Sequence, residues 1–274
     1  MLNQGEPPSR RQVVGVLGAA AVASATASVP AAARPGRPAA VKPTVVLVHG
    51  AWADASCWQE VTRRLQCHGH PVLAAPNALR GLSADAADLN SFLAQRVTGP
   101  VILVGHSYGG AVVTNAVTPA VDVRALVYVD AFVPAQGETV LSLQGEGADP
   151  AALFDQVVHE QHGEQTVDLY IKPALFGDLF AGDLAPATAR QLAAAQRPVA
   201  LSALLEPSGP PAWRSLPSWY VLGTEDHILP PARQRSMARR ARSRIIETAG
   251  SHLVMLSRPG VVVDAVLSAV RATA

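Results

Sequence analysis

The chain reads as an α/β protein, a mostly parallel sheet of about six strands flanked by helices and interrupted by a helical lid insertion. Three observations predict this. Short apolar, β-branched runs alternate with helical patterns across short loops, the rhythm of strand–helix–strand crossovers. A serine lies between two glycines in Gly105-His106-Ser107-Tyr108-Gly109, directly after the apolar run Val101-Ile102-Leu103-Val104. Between Pro134 and Trp213 the strand pattern disappears, and short apolar segments alternate with Gly, Pro and Asp breakers.

In chain order, Thr44-Val45-Val46-Leu47-Val48 is the first strand, and a helix over 56–66 leads to a second strand at 71–75. A helix over 83–97 precedes the strand at 101–105. The helix over 108–118 then opens on Tyr108, and Gly110 and Ala111 let it pack closely. A fourth strand covers 124–129. The lid, 134–212, presents an apolar inner surface from Leu141, Leu143, Leu153, Phe154, Val157, Leu169, Tyr170, Leu175, Phe176, Leu179 and Phe180. The core resumes with strands at 217–222 and 244–247 and helices at 232–241 and 260–271, so that 44–133 and 213–274 form one domain.

The glycine-flanked serine marks a strand-to-helix turn so tight that residues two positions to either side must lack a β-carbon. Ser107 is expected to stand exposed at the carboxyl edge of the sheet. A serine hydroxyl needs a base in hydrogen-bond reach and an acid to orient that base. Asp226 follows the strand Trp219-Tyr220-Val221-Leu222-Gly223, and His252 follows Arg244-Ile245-Ile246-Glu247, so a Ser107–Asp226–His252 triad is expected at one edge. Asp130, after the fourth strand, is the competing acid. An oxyanion needs two donors. The Tyr108 amide is one, and the Ala51 amide, after the sharp turn at Gly50, is the other. His49 and His106 are read as holding loops through hydrogen bonds to backbone.

These segments resemble the α/β-hydrolase superfamily, in particular the small lid-bearing branch with plant methylesterases, hydroxynitrile lyases and bacterial esterases. The resemblance runs from about Thr44 to the C-terminus. It is carried by Val48-His49-Gly50-Ala51-Trp52, Gly105 to Gly110, Leu126 to Pro134, Gly223-Thr224-Glu225-Asp226 and Ser251 to Leu256. It implies a serine esterase acting on a small, largely apolar carboxylic ester, with Asp226 as the acid and no cofactor or metal. Trp52, Phe132 and Leu253 are the candidate pocket residues. Lyases of this branch carry threonine at the place of Gly50 and lysine at that of Leu253, which weakens the lyase reading. A ligand-binding protein on the same fold is the other alternative.

With 49% hydrophobic and 16% charged residues over 274, the chain can bury one sizeable core. Segment 1–33 is set apart: Arg10-Arg11 precedes an uncharged alanine-rich run and resembles a twin-arginine export signal, with small-residue cleavage sites at Ala25-Thr26-Ala27 and Ala31-Ala32-Ala33. An uncleaved anchor is the alternative, because the run is about long enough to cross a bilayer. A linker over 34–43 follows. Cleavage after Ala33 removes Arg10, Arg11 and Glu6 and leaves the mature chain formally neutral, so nothing in its charge favours nucleic acid or an anionic membrane. The chain is thus expected to be exported, periplasmic or secreted. Replacing both arginines with lysine should hold the precursor in the cytoplasm, as fractionation would show; unchanged export would refute the reading. The arginines between Arg233 and Arg244 read as the solvated face of one helix. Cys57 and Cys67 bracket a helix about 15 Å long, too far apart for a disulfide, and are read as free thiols.

Overall fold

The computed structural model describes residues 41–145, 150–161 and 163–274. Residues 1–33, read from the sequence as an export signal, and the expected linker up to residue 40 lie outside the described residues.

The elements in order are β1 (Thr44–Val48), a short 3-10 turn at Ala55–Trp58, α1 (Gln59–Cys67), β2 (Val72–Ala75), α2 (Leu82–Arg96), β3 (Val101–His106), α3 (Tyr108–Asn115) and β4 (Val123–Val129). The insertion follows, with α4 (Val140–Gln144), α5 (Pro150–Leu153), β5 (Phe154–Gln161), β6 (Glu164–Ile171), α6 (Pro173–Phe180), α7 (Pro186–Ala195), β7 (Val199–Ala200) and α8 (Leu201–Leu205). The chain then returns through β8 (Ser218–Gly223), α9 (Pro231–Arg240), β9 (Arg244–Thr248), α10 (Val254–Ser257) and α11 (Pro259–Ala272). The six expected core strands are all present. Cys57 is buried, Cys67 is exposed, and both thiols are free.

The main sheet is parallel in every pairing, in the order β2-β1-β3-β4-β8-β9. Helices cover both faces of its centre, so β1, β3 and β8 are buried at every residue and read as continuous apolar runs rather than alternating ones. Each Val, Leu or Ile so buried stabilises the fold by about 1.5–3 kcal/mol. The edge strands β2 and β9 are only partly covered. Because β2 and β3 lie on opposite sides of β1, the strand order reverses there, the place where sheets of this kind set their sites at the carboxyl ends of the strands.

The insertion corrects one expectation: it is not helical throughout. Strands β5 and β6 form an antiparallel hairpin in register from Phe154↔Ile171 to Gln161↔Glu164, and β7 pairs with β6. Only some of the apolar residues assigned to the inner face lie there. Phe154, Leu169, Phe176 and Phe180 are buried, whereas Val157 points outward and is 48% exposed. The neck of the insertion is tied at both ends: the Trp213 indole donates to the Pro134 carbonyl at 2.9 Å, and Arg240 reaches the Val133 carbonyl and the Glu138 carboxylate. The basic face of α9 therefore has partners within the chain, Arg235 with Glu247 as well as Arg240 with Glu138.

Candidate active site

Ser107 joins β3 to α3 at φ +51°, a left-handed conformation that a non-glycine residue adopts only where its surroundings force it. The forcing contact is backbone on backbone. A β-carbon at Gly105 would lie 2.5 Å from the Gly109 carbonyl oxygen, so the turn closes only with glycine there. The Tyr108 phenol points away from the turn and donates to the Asp85 carboxylate on α2 at 2.7 Å, clamping the start of α3 to the neighbouring helix. Burial of Asp85 raises its pKa, and the Tyr108 hydrogen bond offsets this in part.

Ser107, His252 and Asp226 come together as expected. The Ser107 hydroxyl lies 2.8 Å from His252 Nε2, and His252 Nδ1 lies 2.6 Å from Asp226 Oδ2. A carboxylate can only accept, which assigns the proton to Nδ1 and leaves the Nε2 lone pair facing the serine hydroxyl. Asp226 is saturated with donors: Oδ1 accepts from the Ile228 and Leu229 amides at 2.9 and 2.8 Å, and Oδ2 also accepts from Gln234 Nε2 at 2.7 Å. His106 donates from Nε2 to the His252 carbonyl at 2.9 Å, and burial first and His252 second keep its imidazole neutral. His49 likewise bonds a backbone carbonyl, that of Gly50. One expectation changes. Ser107 is only 2% exposed, because the insertion closes over it, with the Phe180 ring 5.0 Å from that of His252.

Ala51, Trp52, Tyr108 and Phe132 line one cavity with Ser107. Tyr108 is the first residue of α3, so its amide precedes the intrahelical ladder. Among the described residues, neither its amide nor that of Ala51 has an acceptor outside regular structure. Gly50 brings Ala51 close: a β-carbon there would stand 2.6 Å from Ser107 Cβ. Leu253 lies elsewhere, on a neighbouring cavity that shares Trp52. Among the described residues no three His, Cys, Asp or Glu side chains converge as a metal-ligand set.

Asp130 is completely buried at φ +43° and accepts from the Gly223 amide at 2.6 Å, tying the end of β4 to that of β8; its hydrogen bond is to this backbone and not to His252. Burial, and then the charge of Asp226, raise its pKa well above the ordinary carboxyl value, with the Gly223 and Val254 amides opposing. Two contacts escaped the sequence reading. Gln234 was hidden in a basic helix, although its spacing to the buried Met237 and Ala238 marks an inward stripe. Asp183 of the insertion accepts from Ser251 Oγ at 2.5 Å and so ties the lid to the loop carrying His252; nothing local announces that pairing.

Residues 45–265 match the model of the Alpha/beta hydrolase family. The chain belongs to that family. Among curated relatives, it is 36% identical over 117 residues to a carbendazim hydrolyzing esterase of Nocardioides sp. (strain SG-4G), covering 38% of this chain and 48% of that one. It is 38% identical over 102 residues to methyl jasmonate esterase 1 of Vitis vinifera, covering 32% and 39%. The matched stretch thus spans less than half the length of either relative. Among solved structures, polyneuridine aldehyde esterase superposes with a TM-score of 0.72 at 18% identity, over 83% of this chain and 99% of that one. A methylesterase from Arabidopsis does so with 0.68 at 22%, over 84% and 99%. At such identities these structures speak for the fold alone.

Proposed function

We propose that the protein is a serine hydrolase that cleaves a small, largely apolar carboxylic ester through an acyl-enzyme. The observation that carries this reading is the Ser107–His252–Asp226 relay, with links of 2.8 and 2.6 Å, beside a cavity lined by two candidate oxyanion donors. Ser107 Oγ forms a bond to the carbonyl carbon while its proton passes to His252 Nε2. The Ala51 and Tyr108 amides hold the oxyanion. As the intermediate collapses, the carbon–oxygen bond to the alcohol breaks, and the alcohol leaves with the proton from His252. Water then repeats the sequence and frees the acid. Asp226 holds the imidazole in the required tautomer throughout. The names of the sequence relatives, both esterases, support the same reaction class.

Lyase chemistry finds less support. The residue after His252, lysine in the lyases that the sequence resembles, is the apolar Leu253, and the tight approach of Gly50 to Ser107 leaves no room for a side chain at Gly50. A panel of p-nitrophenyl and methyl esters of graded size tests the proposal; cyanide release without ester turnover, or tight binding with negligible turnover, would sink it.

A further inference from the structure

Two cavities flank the indole of Trp52. The one that reaches Ser107 has a volume of about 10 Å³, and Phe132, Leu204 and Ile228 form much of its wall. It holds little more than a water molecule. The other, about 40 Å³, is lined mainly by apolar side chains, Phe176, Phe180, Leu253 and Leu256 among them, and also by Asp54 and Ser56. Among the described residues Trp52 is the one side chain that lines both.

The indole is fixed in place. Its Nε1–H donates to the Leu169 carbonyl of β6 at 2.9 Å, and the Trp52 amide donates to the Arg197 carbonyl, also at 2.9 Å. The ring stacks on Phe154 with centroids 5.1 Å apart and meets Phe180 edge-on at 5.9 Å. Its backbone sits at φ +58°, a conformation tryptophan takes only under constraint. A side chain held by its own hydrogen bond and two aromatic contacts, on a backbone pinned through its amide, cannot swing aside for a bulky substrate.

We infer that Trp52 is the specificity wall of the site: it divides one apolar chamber in two and restricts Ser107 to esters that are small on the side facing the indole. The chamber behind it is the space a longer substrate would occupy. This rests on the proposed ester hydrolysis.

The test uses the full chain with two ester series, p-nitrophenyl esters from acetate to octanoate and acetates from methyl to benzyl. Trp52→Gly removes the wall, and glycine accepts φ +58° without strain, so the backbone beside Ala51 is preserved. Trp52→Phe keeps most of the wall. Wild type should favour the smallest members, and Trp52→Gly should raise the kcat/KM ratio of the largest to the smallest ester by at least about tenfold in one series. Trp52→Phe should stay near wild type. A uniform loss across both series, with the ratios unchanged, would overturn the wall while leaving hydrolysis standing. No Ser107-dependent turnover by wild type would overturn both. If Trp52→Gly does not fold, inactivation of wild type by alkyl phosphonate esters of graded length reads the same wall. Rates falling steeply with length support it, and equal rates overturn it.

Discussion

Ser107→Ala is expected to lower ester turnover by on the order of 10³-fold or more while leaving the fold intact. The strained turn is held by the approach of Gly105 to the Gly109 backbone and by the Tyr108–Asp85 clamp, and the hydroxyl takes part in neither. Alanine keeps the β-carbon, so the loss is one buried hydrogen bond to His252, worth about 1 kcal/mol net. The Ala51 and Tyr108 amides proposed to hold the oxyanion and the cavity survive, and product should still bind. Kinetics alongside thermal denaturation is the check. Substantial turnover by a folded Ser107→Ala protein would dismiss the serine mechanism.

Asp226→Asn is expected to cost up to about 10⁴-fold in turnover, and Asp130→Asn far less. The difference follows from the donors around each carboxylate. At Asp226 every neighbour donates: two amides face Oδ1, and Gln234 with His252 face Oδ2. An asparagine that gives its oxygen to the two amides must turn its NH₂ toward His252 Nδ1, donor against donor. The imidazole escapes only by shifting its proton to Nε2, where it can no longer accept from Ser107. At Asp130, Oδ1 accepts from the Gly223 amide and neither oxygen bonds an imidazole, so asparagine fits with its oxygen where it is needed.

Asp130 also makes a pH-dependent contribution to stability. The folded-state pKa of Asp130 is raised by burial and by Asp226, so the folded chain holds a proton that the unfolded chain has already released. That contribution is complete below about pH 4, the ordinary carboxyl value, and is lost as pH rises toward the folded-state value. Asp130→Asn does not titrate there, so its stability relative to wild type should improve as pH rises above about 4, read by urea denaturation at each pH. If instead Asp130→Asn is the inactive variant and Asp226→Asn the active one, the catalytic role belongs to Asp130.

Much of this site was legible because its parts are local. Each core strand is a short apolar run buried on both faces, and each of Ser107, Asp226 and His252 stands just past the end of one. The elbow needs only its own glycines to be recognised. Such signals survive in one dimension because the backbone within a few residues creates them.

The rest depends on partners far apart in the chain. The β5–β6 hairpin went unread because β5 has few inward apolar residues and owes its state to the register with β6, whose Val167, Leu169 and Ile171 alternate. Gln234 serves Asp226 from another element, Asp183 reaches Ser251 from the insertion, and Trp52 takes its place from Leu169, Arg197, Phe154 and Phe180. The sequence alone determined the sheet, the elbow and the order of the three candidate catalytic residues, since these follow from local sterics and strand burial. Only the tertiary structure decided that Ser107 is covered, that Asp226 rather than Asp130 faces His252, and that one indole lines two cavities. Those are properties of side chains meeting across the fold, and no periodicity in the chain records them.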